Sequence, residues 1–385
     1  MAPVAIGLCS CCPRYLIMKT IVVSAVNLRK GGTLTILRDC LQYLSSLSQE
    51  YRIVALVHKK ELCDYEGIEY IEMPEVIKGW GKRIWCEYVT MYHISKMLSP
   101  VYLWLSLHDT TPRVVAEHRA VYCQTSFPFM KVKWNDWKFD YKIALFGFLT
   151  KLVYKINVRK NDWLIVQADW LRDGFSRMLR LPQGRFIVAP PSLRENIHLG
   201  EKHANRNICT FFYAATPDCH KNFELLCQAA QMLEDTLGKG QFQVVLTING
   251  AENKYSQWLK QKWGDVESIV FHGLMDRTTL YNYYQNVDCL VFPSRIETWG
   301  LPISEFMSTG KPMLLADLPY AHETSAGSRL TAFFNPESPE ELMEKMLQLV
   351  KGDWSFLKPV ETKTIAEPLA EDWKALFERL LGEKE

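Results

Sequence analysis

No stretch of this sequence reaches the roughly 18 to 20 continuous apolar residues that an α-helical membrane span requires, so the sequence predicts no such span. It also lacks a charge bias, since 45 Lys and Arg stand against 43 Asp and Glu for a formal net charge of +2. That balance argues against a nucleic-acid-binding protein, which would carry a markedly basic face. The G-x-G-x-x-G dinucleotide fingerprint with its distal acid is missing, which disfavours an NAD enzyme. Beyond residue 17, no two cysteines stand at metal-ligand spacing. They sit singly in apolar runs such as "RDCLQYL", "NICTFFY" and "VDCLVFP", the pattern of buried free thiols in a reducing compartment. Internal repeats and low-complexity tracts are lacking too.

What is present is a regular alternation. At 385 residues the chain is long enough for two domains. "TIVVSAV" is followed by the amphipathic "TLTILRDCLQYLSSL" and then by "RIVALVH", and the rhythm continues through "VYLWLSLHD", "RAVYCQTSF", "DWLIVQADWLRDGFSRML" and "RFIVAPP". Strand, helix, strand in this order implies βαβ units and a parallel sheet. A second series runs through "CTFFYAA", "QVVLTING", "SIVFHGL", "VDCLVFPS" and "GKPMLLAD". The expected fold class is therefore α/β, with two Rossmann-like doubly wound domains facing one another across a cleft, an arrangement suited to a reaction between two substrates.

The expected boundaries are 18–195 for an N-terminal domain that binds the acceptor, 196–207 for a linker, 208–360 for a second domain and 361–385 for a closing helix. That helix rests on the spacing of Trp373, Leu376, Phe377, Leu380 and Leu381. The opening "MAPVAIGLCSCCPRYLI" has no basic region ahead of its apolar run and does not read as a secretory signal. Since the strand pattern begins at Met18, residues 1–17 are expected to be a non-native or disordered extension.

The stretch "FPSRIETWGLPISEFMSTGKP", Phe292 to Pro312, carries two glutamates, Glu297 and Glu305, with seven residues between them. A strand ends near Pro293, "RIETWG" forms the turn beyond its carboxyl end, and Pro302 suits the first turn of a helix. Glu305 then lies about one turn inside that helix, and Gly300 lets the backbone approach a ligand. Such a pair can hold a sugar hydroxyl beside a reacting carbon and grip a ribose diol, while the helix start attracts phosphate.

The longer run "FPSRIETWGLPISEFMSTGKPMLLADLPYAHE" resembles the donor-site signature of glycosyltransferase family 4, retaining enzymes of the GT-B fold, and in particular its members that assemble polysaccharide and O-antigen. The resemblance implies Glu297 and Lys221 as catalytic residues. Lys221, in "FFYAATPDCHKNFELLCQAAQML", corresponds to the lysine that contacts the donor diphosphate. It further implies donor-binding roles for Gly31 and Gly32 in "NLRKGGTL", for Thr298, Trp299, Gly300, Leu301 and Glu305, and for Gly273 and Leu274 in "FHGLMDR".

Two positions depart from the family pattern. Ala215 stands where an arginine is frequent, leaving His220, Arg295 and Arg277 as candidates for a second positive contact. Gln124 stands where a histidine is expected on the acceptor side, with His108 and His118 as alternatives.

The reaction implied is transfer of a sugar from a GDP- or UDP-linked donor to a glycan or lipid-linked hydroxyl, through an oxocarbenium-like transition state and with retention. With no D-x-D triplet in the chain, neither a metal nor another cofactor is expected. Residues 130–160 combine seven aromatics with eight Lys or Arg and only two Asp, which reads either as a peripheral membrane contact or as a core helix with a solvated lysine face. A cytoplasmic protein, peripheral on the membrane, is the expectation. A nucleotide-sugar-binding protein of the same fold without transfer activity, or a nucleotide-sugar hydrolase or epimerase, is the alternative.

Overall fold

A computed structural model of the chain describes residues 18–191 and 208–382. The expected extension at 1–17 and the expected linker at 196–207 lie outside the described residues. Thirteen strands are found among those described: β1 (Lys19–Ala25), β2 (Tyr51–Val57), β3 (Ile68–Glu72), β4 (Val101–Ser106), β5 (His118–Cys123), β6 (Trp163–Val166), β7 (Phe186–Val188), β8 (Cys209–Tyr213), β9 (Phe242–Leu246), β10 (Ile269–Phe271), β11 (Cys289–Phe292), β12 (Met313–Ala316) and β13 (Thr331–Phe334). They form a seven-stranded sheet of order β3-β2-β1-β4-β5-β6-β7 and a six-stranded sheet of order β10-β9-β8-β11-β12-β13. Two parallel Rossmann-like sheets with helical crossovers are thus present, as the alternation of apolar runs predicts.

The strand sequences explain these orders. β1 is apolar almost throughout and buried from Thr20 to Ala25, as a central strand covered on both faces must be. β3, "IEYIE", alternates and has no buried residue, which suits a strand at the sheet edge. In the second sheet, β8 and β11 occupy the centre, and their Phe211, Phe212, Leu290 and Val291 are completely enclosed. The helix Phe223–Leu237 covers that sheet with Phe223, Leu226, Cys227, Ala230 and Leu233, a three-and-four spacing that places all five on one face.

The described residues divide into two compact units, one comprising 18–108 with Pro112–Ala120, the other Asp109–Thr111 with 121–191 and 208–382. In the first, the core gathers Val22, Val54, Leu56, Met91 and Trp104. In the second, the C-terminal stretch returns to the first sheet. Ala370 N–H donates to Val188 O of β7 at 2.8 Å, and the helix Trp373–Leu381 buries Leu376, Phe377 and Leu380. Asp372 caps that helix by accepting from Ala375 N–H at 2.7 Å.

Candidate active site

Both sheets reverse direction at their first strand, the feature that opens a ligand-binding crevice beyond the carboxyl ends of a doubly wound sheet. In the six-stranded sheet the reversal lies between β8 and β11. The turn after β8 carries Lys221 and the turn after β11 carries Glu297. Lys221 Nζ donates to Glu297 Oε1 at 2.6 Å, and the two side chains retain only 16% and 13% exposure. Residues 76 apart in sequence are thereby joined in one largely desolvated ion pair.

The main chain at both turns is tied down. Asn222, in the left-handed conformation at φ 58°, donates from Nδ2 to Pro293 O at 3.2 Å and to Pro336 O at 3.0 Å. Tyr213 OH donates to Lys221 O at 2.8 Å, and Tyr320 OH to Ser294 O at 2.7 Å.

Gly300 begins the helix Leu301–Met307 at φ 93°, a conformation L side chains rarely adopt, and a Cβ there would meet Ile303 Cδ1 at 3.2 Å. Pro302 falls in the first turn, where its missing N–H leaves no bond unmade. Within this helix Glu305 has a side chain only 12% exposed and accepts from Tyr281 OH and Tyr284 OH, both at 3.3 Å. Arg277 lies 3.7 Å away on the solvent side. Burial pushes the Glu305 carboxyl above its usual pKa, outweighing Arg277 and the tyrosine donors, which pull it down. Tyr281 and Tyr284, in the helix Arg277–Asn286, did not stand out in the sequence because their only signal is a "YNYY" run resembling an ordinary amphipathic face.

The remaining residues of the turn serve its shape. Thr298 Oγ1 donates to Gln124 O at 3.0 Å, Trp170 Nε1 to Thr298 O at 3.2 Å, and Trp299 Nε1 to Ser304 Oγ at 3.1 Å. Leu301 is partly exposed. Gly273, two residues beyond β10, has φ 97°, and Leu274 beside it is the most exposed large apolar residue of the described chain. Glu323, at the end of the "PYAHE" run, accepts from Asp169 N–H at 2.6 Å and Trp170 N–H at 2.9 Å, capping the helix Asp169–Leu179.

Of the three candidates for a second cation, two are otherwise engaged. His220 is buried, and burial followed by the nearby Lys221 and Arg295 charges holds it well below its ordinary pKa, so it is neutral at pH 7. Arg295 is bound to Asp136. Arg277 alone presents an exposed guanidinium.

In the first unit the reversal lies between β1 and β4, and the helix Gly31–Ser46 starts beyond β1. Gly31 has φ 63°, and a Cβ built on Gly31 or Gly32 would meet nothing within 4 Å. The open face there leaves room for a ligand to approach the backbone.

His108 is fully buried, with Nε2 3.1 Å from Ser24 Oγ and Nδ1 3.5 Å from Glu87 Oε1. Burial drives its pKa down to about 4 against the opposing pull of Glu87, which makes it a neutral interior group. His118 stands at the start of β5, the amino end of the strand, with its ring edge-on to Tyr102 at 5.0 Å. Gln124, in the second unit, follows the carboxyl end of β5 and donates its N–H to Asp109 Oδ1 at 2.6 Å.

Residues 130–160 fold into the short helix Trp134–Phe139 and the longer helix Tyr141–Val153. The longer helix buries Ala144, Gly147 and Thr150 and exposes Tyr141, Leu145, Phe148, Leu149 and Leu152. Its small residues face inward and five of its large apolar or aromatic ones outward, unlike a core helix, while Phe146 packs edge-on against Phe127. No helix among the described residues is long and apolar enough to cross a membrane, and no described group of three or more His, Cys, Asp or Glu is placed to hold a metal ion.

Residues 208–352 match the family model described as glycosyl transferases group 1. The chain is 21% identical over 334 residues to the O-antigen chain mannosyltransferase RfbU of Salmonella typhimurium, covering 82% of this chain and 87% of that one. Among solved structures it resembles WaaG, a glycosyltransferase involved in lipopolysaccharide biosynthesis, at 14% identity and TM-score 0.59 over 86% of this chain and 90% of WaaG. It also resembles Anabaena Alr3699/HepE in complex with UDP and glucose, at 12% identity and TM-score 0.57 over 87% and 91%. These likenesses establish the GT-B fold.

Proposed function

We propose that this chain, a family 4-like glycosyltransferase whose residues 208–352 form a group 1 glycosyltransferase domain, moves a sugar from a nucleotide diphosphate to a hydroxyl of a glycan or lipid-linked acceptor during polysaccharide assembly. The observation that carries this reading is the Lys221–Glu297 pair at the reversal between β8 and β11, with Glu305 enclosed in the helix that follows. An ammonium at the crevice neutralises charge growing on a departing diphosphate. Glu297, anchored at its own turn, orients the donor sugar beside the reacting carbon. Glu305 accepts from the ribose diol, with Tyr281 and Tyr284 fixing its rotamer. Main-chain groups at Gly273 and Leu274 hold the base.

Retention of configuration and independence of a metal belong to this proposal, supported by the family 4 motif and by a lysine in the place where a cation is needed. RfbU is named for mannosyl transfer to O-antigen chains, and HepE binds UDP. Both GDP- and UDP-linked donors are compatible with the reading. An acceptor on a lipid carrier at the cytoplasmic face of a membrane fits the exposed apolar stripe from Tyr141 to Leu152, flanked by Lys138, Lys142, Lys151 and Lys155. A binding protein without activity is the less favoured reading, because Lys221, Glu297 and Glu305 are all assembled.

The test is a thermal-shift panel against GDP, UDP and dTDP sugars with a Glu305→Ala variant alongside, followed by product analysis with the donor that binds. Stabilisation by one nucleotide, weakened in the variant, supports the donor site. No stabilisation by any nucleotide refutes it.

A further inference from the structure

Asp136 lies in the short helix Trp134–Phe139, beyond β5, with its side chain 1% exposed. Its carboxylate receives Arg295 Nη2 at 2.5 Å on Oδ1 and Arg295 Nη1 at 3.1 Å on Oδ2, and Oδ2 also accepts Lys133 N–H at 2.6 Å. The planar fork of an arginine matches a carboxylate in two places at once, so the pair fixes direction as well as distance.

Arg295 has further bonds. Nη2 donates to Cys219 O at 3.0 Å, Nη1 to Lys131 O at 3.2 Å, and the Arg295 main-chain N–H to His220 O at 2.8 Å. Through its guanidinium and its main-chain N–H, Arg295 thus joins three segments: 131–136, the pair preceding Lys221, and the turn that carries Glu297 two residues on. Asn222, bonded to Pro293 O, closes the other side of the same loop pair. Lysine has four rotatable side-chain bonds and Glu297 sits on a turn, so a 2.6 Å contact between them needs both main chains held in register.

We infer that Asp136, acting through Arg295, holds the Lys221 and Glu297 turns together and is a positioning residue for sugar transfer. This rests on the reading of Lys221 and Glu297 as donor-site residues. Asp136 touches no reacting atom; it sets where the reacting groups stand. A buried pair that served stability alone would, when broken, lower the melting temperature and leave the turnover of the folded fraction intact.

Three measurements on full-length protein decide between these. Asp136→Asn is expected to lower kcat by about tenfold or more while the dissociation constant for the free nucleotide, which Lys221 shares with Glu305 and Gly273, rises by a clearly smaller factor. In protein labelled with 13C at the glutamate carboxyl, the Glu297 signal, assigned by its loss in Glu297→Gln, should move in Asp136→Asn. Arg295→Lys keeps the charge beside Asp136 but cannot reach both carboxylate oxygens and Cys219 O, and should show the same two effects in milder form.

If Asp136→Asn does not fold, Arg295→Lys decides by the same readouts. A folded variant with unchanged kcat and an unmoved Glu297 signal overturns the inference, as does a fall in nucleotide affinity equal to the fall in kcat. Should the wild-type protein transfer no sugar from any donor, the proposed function fails instead, and the carboxyl signal still decides the positioning.

Discussion

Replacing Lys221 by methionine removes the ammonium that Glu297 accepts from and keeps most of the side-chain volume. The size of the effect follows from the burial of the pair. Fully exposed ion pairs contribute about 0 to 1 kcal/mol, whereas rupturing a fully buried one costs about 3 to 5 kcal/mol, because the surviving charge stays desolvated. With side chains 16% and 13% exposed at 2.6 Å, Lys221 and Glu297 lie between these limits. A coupling of about 2 kcal/mol is expected.

The assay is a double-mutant cycle in equilibrium urea unfolding, using Lys221→Met, Glu297→Gln and the double variant. The double variant should be less destabilised than the sum of the singles by that amount. In parallel, each single variant should lose about 100-fold or more in kcat, since Lys221→Met removes the cation that meets charge on the departing diphosphate and Glu297→Gln the carboxylate that orients the donor sugar. A coupling below about 0.5 kcal/mol would show that solvent screens the pair and would refute the argument from burial.

Other expectations follow from the same geometry. Since burial raises the Glu305 pKa, its carboxylate form is lost from the folded protein at a higher pH than in an unfolded chain, so nucleotide affinity should fall as pH drops through that raised value, and Glu305→Gln should remove this dependence in isothermal titration. His108 titrates near 4 when folded against about 6.5 when unfolded, so the unfolded state binds more protons between those values. Stability should therefore decline by about 3 kcal/mol as pH falls through that window, and His108→Gln should flatten the decline in pH-dependent melts. Gly300→Ala should cost about 1 to 2 kcal/mol from its φ of 93° and the approach to Ile303, read as a lower melting temperature. Phe148→Glu with Leu152→Glu should weaken sedimentation with anionic vesicles without lowering the melting temperature, because both side chains are exposed, and added salt should weaken wild-type binding.

Much of this molecule is written in local pattern. Parallel strands covered on both faces must be apolar without interruption, so "TIVVSA" and "CLVF" announce central strands before any coordinate is known. Most crossovers between them are helical, the one from β4 to β5 excepted, which makes the αβ alternation and the two sheets legible from sequence alone. The turn after Phe292 is equally local: Gly300 at positive φ, Pro302 in the first helical turn and Glu305 beyond it follow from backbone chemistry over the fourteen residues Phe292–Glu305.

What sequence could not decide is which distant groups share a charge or a hydrogen bond. Asp136 reads as one of two acids in a basic aromatic stretch, and Arg295 as a free cation beside a motif, yet each neutralises the other across 159 residues. His220 carries a nominally titratable ring, but only packing reveals that burial keeps it neutral. The apolar stripe from Tyr141 to Leu152 has helical spacing whichever way it faces, and the inward turn of Ala144, Gly147 and Thr150 is set by what lies beneath. Periodicity belongs to the covalent chain and is local; desolvation and ion pairing depend on neighbours brought in by the fold, and for those only the tertiary structure is informative.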